Sequence, residues 1–193
     1  YGIPIVLVDR TINSIPVSSV QIDNEGAAYV LTNHLIEIGC KRIGFMSYNM
    51  RLSNIKGRFE GYKKALIDSG IVFNSKLVRS VGFERFEEEI QKELEVLLSN
   101  NIDSIVFATN WVGIQSLLLL KKTKKIENLK FVSIDNPDEY KISGIPMTCI
   151  EQPIEEMSRR ALEILCRKII DPNYKIIENV TLQVSTPYIK DIF

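Results

Sequence analysis

The sequence has no excess of charge of either sign, although it is well supplied with charged residues. Its 193 residues include 24 Lys plus Arg and 24 Asp plus Glu. Domains that hold nucleic acid unaided usually show a clear basic excess, so direct DNA binding by this segment is disfavoured. No apolar run approaches the roughly 20 residues that cross a bilayer, and no signal peptide is visible. The start at Tyr1, without Met, indicates a fragment of a longer protein.

Cysteine and histidine are scarce. Cys40, Cys149 and Cys166 are odd in number and widely spaced, which argues against a disulfide framework and a zinc site and favours a reducing, cytoplasmic compartment. His34, in a predicted helix, is better explained as a structural residue than as a general acid or base. Phosphate-binding loops, hydrolase nucleophile motifs and metalloprotease motifs are missing from the sequence. We therefore predict a protein that is not an enzyme and uses no metal or cofactor.

Short apolar runs alternate with helical patterns along the first three quarters of the chain. Because the predicted strands are apolar almost without interruption, they indicate a doubly wound parallel α/β sheet. After Pro146 we expect a connecting segment at 147–150, a helix from Pro153 to Ile170, and an antiparallel or edge strand within 176–184. The earlier strands are expected at 5–8, 20–22, 43–46, 77–81, 102–108 and 131–134, with helices at 27–38, around 59–67, at 86–98 and at 111–125.

Polar and aromatic side chains follow several of these strands. In open α/β sheets, ligands bind beyond the carboxyl ends of the strands. A guanidinium, carboxylates, amides and aromatic rings at one edge suit a sugar or other polyol, which needs paired hydrogen bonds and a ring to stack on. The candidate effector-binding residues are Asp9, Arg10, Asn54, Arg58, Phe83, Asn110, Trp111 and Asp135.

Simpler roles remain open for these residues. Asn110 and Asp135 would also serve as helix or turn caps, and Phe83 as a core residue. Arg58 would also fit a solvated helix surface or an internal salt bridge. Trp111 would also fit an interface with a partner.

The motifs resemble the effector-binding domain of the lactose-repressor/galactose-repressor family over essentially the whole chain. Each motif alone is weak, but together they stand in the family's order. Cys40 occupies a position where the family usually has His, and Trp111 one where it usually has Asp, so Trp111 is also a candidate for stacking on the effector. The matching segments are Ile3–Arg10, Val20–Ala27, His34–Phe45, Arg58–Tyr62, Ile105–Asn110, Val132–Asn136 and Thr148–Pro153.

The resemblance implies a periplasmic-binding-protein-like, two-lobed fold with an effector in the cleft between the lobes. Residues 23–147 plus 174–193 would form a complete C-terminal lobe. Residues 1–22 plus 150–172 would be the remnant of a truncated N-terminal lobe, with crossovers near 22–23, 148–152 and 171–175. The DNA-binding helix-turn-helix head would be absent from this chain.

The resemblance also implies which residues act. The family's effector contacts map onto Arg58, Phe83, Asn110 and Asp135, with Asp9 and Arg10 from the truncated lobe and Asn54 as a weaker candidate. The family's dimer contact maps onto the helix at 111–125, whose apolar surface exceeds one buried stripe, and onto the segment at 137–146. The expected interface residues are Leu117, Leu118, Tyr140 and Ile142.

We therefore expect the sensing domain of a cytoplasmic, homodimeric transcriptional regulator. It would bind a sugar or related metabolite and reach operator DNA only through the absent head. A periplasmic sugar-binding protein shares the fold and is the alternative; an enzyme on a dinucleotide-binding fold is a third interpretation, disfavoured by the missing motifs.

Overall fold

The computed structural model describes residues 3–12, 14–48, 51–82, 86–126, 128–171, 173–183 and 189–192. Its strands are β1 (Val6–Val8), β2 (Ser18–Ile22), β3 (Ile43–Tyr48), β4 (Val78–Val81), β5 (Ser104–Phe107), β6 (Lys130–Ile134), β7 (Met147–Ile150), β8 (Asn179–Leu182) and β9 (Ile189–Ile192). Its α-helices are α1 (Asn24–Glu37), α2 (Ser53–Asp68), α3 (Phe86–Ser99), α4 (Asn110–Lys122), α5 (Asp138–Ser143) and α6 (Ile154–Ile170). Within those ranges, no helix combines the length and the apolar character that crossing a bilayer requires.

The strands form two sheets. The larger has the order β4-β3-β5-β6-β7-β9 and is parallel except for β9, which runs antiparallel to β7. The smaller has the order β1-β2-β8 and is parallel throughout. The predicted α/β class with a doubly wound parallel sheet is confirmed. The segment 147–150, expected as a connection, is instead a fully buried strand that pairs with β6 and β9.

Alternate residues of the central strands enter apolar clusters on opposite faces of the larger sheet. Phe45 and Val106 pack with α1 and α2, whereas their neighbours Met46 and Phe107 pack with α3 and α4. Side chains of successive strand residues point to opposite faces, so a strand covered by helices on both faces must be apolar at every position. This is why the predicted strands showed no polar alternation.

The smaller sheet is joined to the same core. Val20 and Ile22 of β2 belong to one apolar cluster with Met157 and Ile164 of α6 and with the buried residues of α1 and α2. Strand β2 begins earlier than predicted, because Ser18 and Ser19 are buried with their hydroxyls hydrogen-bonded to residues 178 and 179. Buried serines are tolerated in a strand when their hydroxyls are paired in this way.

The third expected crossover is displaced. We placed it near Asp171–Lys175 and assigned 174–193 to the larger, C-terminal part. Strand β8 instead pairs in parallel with β2, so the chain is still in the smaller sheet at Leu182 and enters the larger one only with β9. The cause is backbone pairing beside β2, which hydropathy does not report. The division into two lobes itself stays a prediction.

Helices α1 and α2 approach closely at Gly61. A Cβ built on Gly61 would lie 2.0 Å from the backbone oxygen of Glu25 and 2.9 Å from the backbone nitrogen of Tyr29. Backbone atoms cannot rotate away as a flexible side chain can, so the helices would have to separate. Glycine at this position therefore sets the distance between α1 and α2.

We expect Gly61→Ala to lower the free energy of unfolding by about 3 kcal/mol, the upper end of the usual range for overpacking. Chemical denaturation of both proteins measures the change. Gly82→Ala is the control, because the atoms nearest to its added Cβ belong to the flexible carboxylate end of Glu89. Equal stability of Gly61→Ala and the unsubstituted protein would contradict the close contact.

Candidate functional site

Two aspartates follow parallel strands in a left-handed backbone conformation. Asp9, after β1, has φ 66°, and Asp135, after β6, has φ 81°. The backbone N–H of Asp9 donates to the oxygen of Val20, and that of Asp135 to the oxygen of Ile150. These bonds hold both turns, although the conformation is costly for residues other than glycine. Such strain concentrates at functional sites, and here it turns the chain at the carboxyl ends of both sheets.

Arg58, on α2, is the buried cation of this region. Its exposed fraction is 2%. Its Nε donates to Asn24 Oδ1 at 2.8 Å, and its Nη1 donates to the backbone oxygen of Ala108 at 2.7 Å. Burial lowers the pKa of the guanidinium, and the nearby charges of Asp135 and Asp9 oppose that shift. The guanidinium is therefore held by Asn24 and Ala108 and faces the carboxylate of Asp9.

Asp9 brings the smaller sheet into contact with α2. Its Oδ2 accepts a hydrogen bond of 2.8 Å from Asn54 Nδ2, and its Oδ1 lies 3.8 Å from Arg58 Nη2. Burial raises the pKa of the Asp9 carboxyl, although the charge of Arg58 acts in the opposite direction. The structure thus brings together Asp9, Asn54 and Arg58, as expected from the sequence, and the internal salt bridge considered for Arg58 is formed as well.

Buried polar atoms without a hydrogen-bond partner concentrate at this edge. Among the described residues they are Asp9 Oδ1, Arg58 Nη2, Arg79 Nε, Thr109 Oγ1 and Asn136 Oδ1. All except Arg79 belong to residues that follow a strand end or lie one turn into the helix after it. Nearly all buried polar groups in proteins are paired. Two of these atoms, Asp9 Oδ1 and Arg58 Nη2, face each other in the ion pair, and the binding of a polar ligand at these strand ends stays a prediction.

A cleft of about 840 Å³ opens at the carboxyl end of β6, and of the residues just named Asn136 lines it. Asn110, Asp135 and Asn136 line it from the larger sheet, and the residues leading into α6 line it from the other side. Gln152 Nε2 donates to Asp135 Oδ1 at 2.6 Å and so joins the two walls. In the described parts of the chain, no three His, Cys, Asp or Glu side chains are grouped closely enough to hold a metal ion.

The other residues predicted to bind the effector contribute less to this cleft. Asn110 lines the cleft, and its Oδ1 accepts from the N–H of Trp111. The expected capping role is not formed, because Asn110 is the first residue of α4 and the cap residue, Thr109, makes no side-chain hydrogen bond to the helix. Trp111 is 54% exposed and does not line the cleft, and Arg10 is exposed. Phe83 lies outside the described residues.

Sequence analysis missed two residues that hold the site together. Asn24 was not among the candidate site residues, yet it follows β2 and its Oδ1 accepts from Arg58. Gln152 follows β7 and holds Asp135. The rule that points to residues after strand ends would have found both, had it also been applied after Ile22 and Ile150.

The predicted interface residues divide into two groups. Leu118 and Ile142 are 55% and 83% exposed, whereas Leu117 and Tyr140 are each 1% exposed. The latter two therefore do not present a side chain to a partner, which corrects the expectation for them: they form the floor of an apolar cavity of about 280 Å³ between α4 and α5. The Tyr140 hydroxyl lies 2.9 Å from Ser133 Oγ and donates to the backbone oxygen of Asn110, which keeps the ring inside.

Comparison with known proteins shows the family to which this chain belongs. Residues 32–189 match the periplasmic binding protein-like domain, and the chain belongs to that family. A curated relative is the HTH-type transcriptional repressor PurR of Photobacterium profundum, 24% identical over 90% of this chain and 52% of its own length. The chain thus spans about half the length of the curated relatives it matches.

Solved structures agree with that class. A putative transcription regulator from Staphylococcus saprophyticus subsp. saprophyticus is 27% identical, with a TM-score of 0.83, over 98% of this chain and 69% of the other. The transcriptional regulator CelR in complex with cellobiose is 25% identical, with a TM-score of 0.82, over 100% of this chain and 58% of the other. The resemblance to the lactose-repressor family, inferred from the motifs, is confirmed.

Asp135 allows binding and folding to be separated by one substitution. We expect Asp135→Gly in the intact protein to abolish the response to effector, because the carboxylate at the cleft is removed. Its free energy of unfolding should change by less than about 1 kcal/mol, since relief of the left-handed strain offsets the lost hydrogen bond from Gln152. Calorimetric titration and denaturation measure the two effects, and an unimpaired response would remove Asp135 from the site.

Proposed function

We propose that this chain is the ligand-sensing domain of a bacterial transcriptional regulator. It binds a sugar or related small metabolite in the cleft beside Asp135. The observation that carries the proposal is the group of buried polar side chains at the strand ends, including the Arg58–Asp9 ion pair, in a chain whose relatives are HTH-type regulators. The cellobiose complex of CelR supports a sugar as the class of effector.

The signal depends on the position of the smaller sheet relative to the larger. A ligand that contacts Asp9 on one side and Asp135 on the other stabilises one arrangement of the two. It shifts the population towards that arrangement only by the difference in its affinity for the two states. A separate helix-turn-helix domain, outside these residues, converts the shift into a change in affinity for operator DNA.

Neither of the two other classes of protein considered, a periplasmic sugar-binding protein or an enzyme, is favoured. The named relatives are regulators, which disfavours both an enzyme and a periplasmic transport protein. Cys40, Cys149 and Cys166 are thiols that form no disulfide, the first two buried and the third exposed. Thiols suit the reducing cytoplasm, which is the compartment proposed for this regulator.

The regulator acts as a homodimer through α4 and α5 in this proposal. Leu118 and Ile142 border the apolar cavity between these helices and expose large apolar side chains. A two-fold contact would place the same surface of each protomer against the other.

The test uses the full-length gene product. Mobility-shift assays on DNA from its own promoter region, with and without cellobiose, glucose and ribose, measure the response of operator binding. Calorimetry measures sugar binding directly. Absence of both specific DNA binding and sugar binding would overturn the proposal, whereas sugar binding by a protein that never binds DNA would favour the periplasmic alternative.

A further inference from the structure

We infer that Tyr140 is a positioning residue of the cleft, although its own side chain does not line it. Its hydroxyl holds both parts of the wall that the larger sheet contributes, the loop after β6 and the amino end of α4. This inference rests on the proposed function, because it gives Tyr140 a part in effector binding. It follows from the hydrogen bonds of the hydroxyl, from a glycine that makes room for it, and from its burial.

The loop between β6 and α5 is closed at its base by the side chains of Ser133 and Tyr140. Ser133 lies on β6, and its Oγ is 2.9 Å from the hydroxyl oxygen of Tyr140 on α5. Residues 135–137, which line the cleft, lie between these two along the chain. The backbone N–H of Tyr140 also donates to the oxygen of Pro137 at 3.1 Å. The cleft-lining loop therefore begins and ends at residues that are bonded to each other.

This closure matters because the loop starts in a costly backbone conformation. Asp135 has φ 81°, which is unfavourable for any residue except glycine. Its N–H donates to the backbone oxygen of Ile150 at 2.8 Å and fixes one side of the turn. The contact between Ser133 and Tyr140 fixes the other side. Without that contact the turn is able to relax, and the carboxylate of Asp135 changes its position in the cleft.

The same hydroxyl holds the amino end of α4. It donates to the backbone oxygen of Asn110 at 3.1 Å, and Asn110 lines the cleft from the strand next to β6. A tyrosine hydroxyl both donates and accepts, so donation to Asn110 leaves its oxygen able to accept from Ser133. One hydroxyl therefore fixes the spacing between the cleft-lining residues that follow β5 and β6.

Gly113 on α4 makes room for this hydroxyl. A Cβ built on Gly113 would lie 2.1 Å from the hydroxyl oxygen of Tyr140 and 3.1 Å from the ring carbon that carries it. Glycine inside a helix is unfavourable relative to alanine. Helix α4 therefore has a residue that weakens it at the position where the hydroxyl, more than the ring, requires the space.

Burial keeps the hydroxyl available as a donor. Tyr140 is 1% exposed. Burial raises the pKa of its hydroxyl, and the negative charge of Asp135 adds to that rise. The group therefore keeps its proton, and its hydrogen bonds to Ser133 and Asn110 face little competition from water.

Tyr140→Phe in the intact protein removes the hydroxyl and keeps the ring between α4 and α5. We expect it to raise the Kd for sugar by at least about fivefold, the scale of one lost hydrogen bond. Calorimetry measures this with whichever of cellobiose, glucose and ribose the unsubstituted protein binds most tightly.

Tyr62→Phe is the matched control. Tyr62 is fully buried as well, and its hydroxyl donates to the backbone oxygen of Ile43 at 2.8 Å. Ile43 begins β3, at the end of the strand opposite to the cleft. We expect chemical denaturation to show a similar loss of stability in both variants, whereas only Tyr140→Phe loses affinity for the sugar.

Amide hydrogen exchange tests the position of the wall without a ligand. The N–H of Asp135 donates to Ile150, and the N–H of Gly113 donates to Thr109, so both amides are protected while the wall is held. We expect exchange at these two amides to be at least about fivefold faster in Tyr140→Phe than in Tyr62→Phe.

The outcomes separate the inference from the proposed function. A Tyr140→Phe protein that binds the sugar as the unsubstituted protein does would overturn the inference and leave the proposed function standing. An equal loss of affinity in both variants, or equal exchange rates at the two amides, would also overturn it. If none of the three sugars binds the unsubstituted protein, the proposed function loses its support, and the exchange rates alone decide whether Tyr140 holds the wall.

Discussion

Arg58→Lys in the intact protein is expected to weaken effector binding by about 2 kcal/mol, roughly thirtyfold in Kd. Lysine keeps the charge but replaces the planar fork with a single ammonium group. It cannot donate simultaneously to Asn24, to the backbone oxygen of Ala108 and to a ligand with the geometry that Arg58 provides. Calorimetric titration with the effector that binds most tightly measures the loss.

Arg58→Lys should also lower the free energy of unfolding by about 1–3 kcal/mol, because the buried partners of the guanidinium lose a donor. Denaturation measured alongside the titration separates the two effects. Arg160→Lys is the matched control, since Arg160 is exposed on α6 and is not among the residues that line the cleft. If Arg58→Lys titrates as the unsubstituted protein does, Arg58 is a structural residue and not an effector contact.

The larger sheet could be predicted because its strands are buried on both faces. Runs such as 43–46 and 131–134 have no polar alternation, and only parallel strands between two helical layers are usually so uniform. Strand β7 was missed because it follows a proline and contains Thr148, whose hydroxyl lies 3.2 Å from His34 Nε2. A hydrogen bond to a helix residue allows a polar side chain to be buried in a strand, and the hydropathy of the sequence does not show such a bond.

The sequence indicated which residues follow the strand ends at the site, but not which side chains hydrogen-bond to one another there. Asp9, Asn110 and Asp135 follow strand ends, which the sequence reveals. The partners of Arg58 lie 34 and 50 residues away along the chain, so only the folded chain shows that Asn24 and Ala108 hold it. The pairing of β8 with β2 is likewise long-range, and this is why the third crossover was placed too early.

The four leucines at 117–120 show a different limit. Their sequence is uniform, so no pattern indicates which of them leaves the core. In the structure Leu117 and Leu120 are each 1% exposed, whereas Leu118 is 55% exposed. Successive helix residues are rotated by about 100° around the helix axis. This rotation shows which leucine is exposed only when the orientation of α4 on the sheet is known.

Leu118→Arg is expected to convert a dimer of the intact protein into monomers. Leu118 stands at the edge of the apolar cavity between α4 and α5, with Ile142 exposed on the other side. In a two-fold contact each substituted protomer brings one arginine, so the interface receives the change twice. At about 2 kcal/mol for each central residue, the loss approaches about 4 kcal/mol, or roughly a thousandfold in the dimer dissociation constant.

Sedimentation velocity at several protein concentrations measures that change. Ile67→Arg is the matched control, because Ile67 is 57% exposed on α2, a helix on the opposite face of the larger sheet from α4. It should leave the dimer intact, which excludes a general effect of an added surface charge. An unsubstituted protein that remains monomeric at high concentration, or a Leu118→Arg protein that stays dimeric, would place the subunit contact elsewhere. Leu117→Arg would not serve as the test, since Leu117 is 1% exposed and a charge buried there would unfold the chain before it altered any contact between protomers.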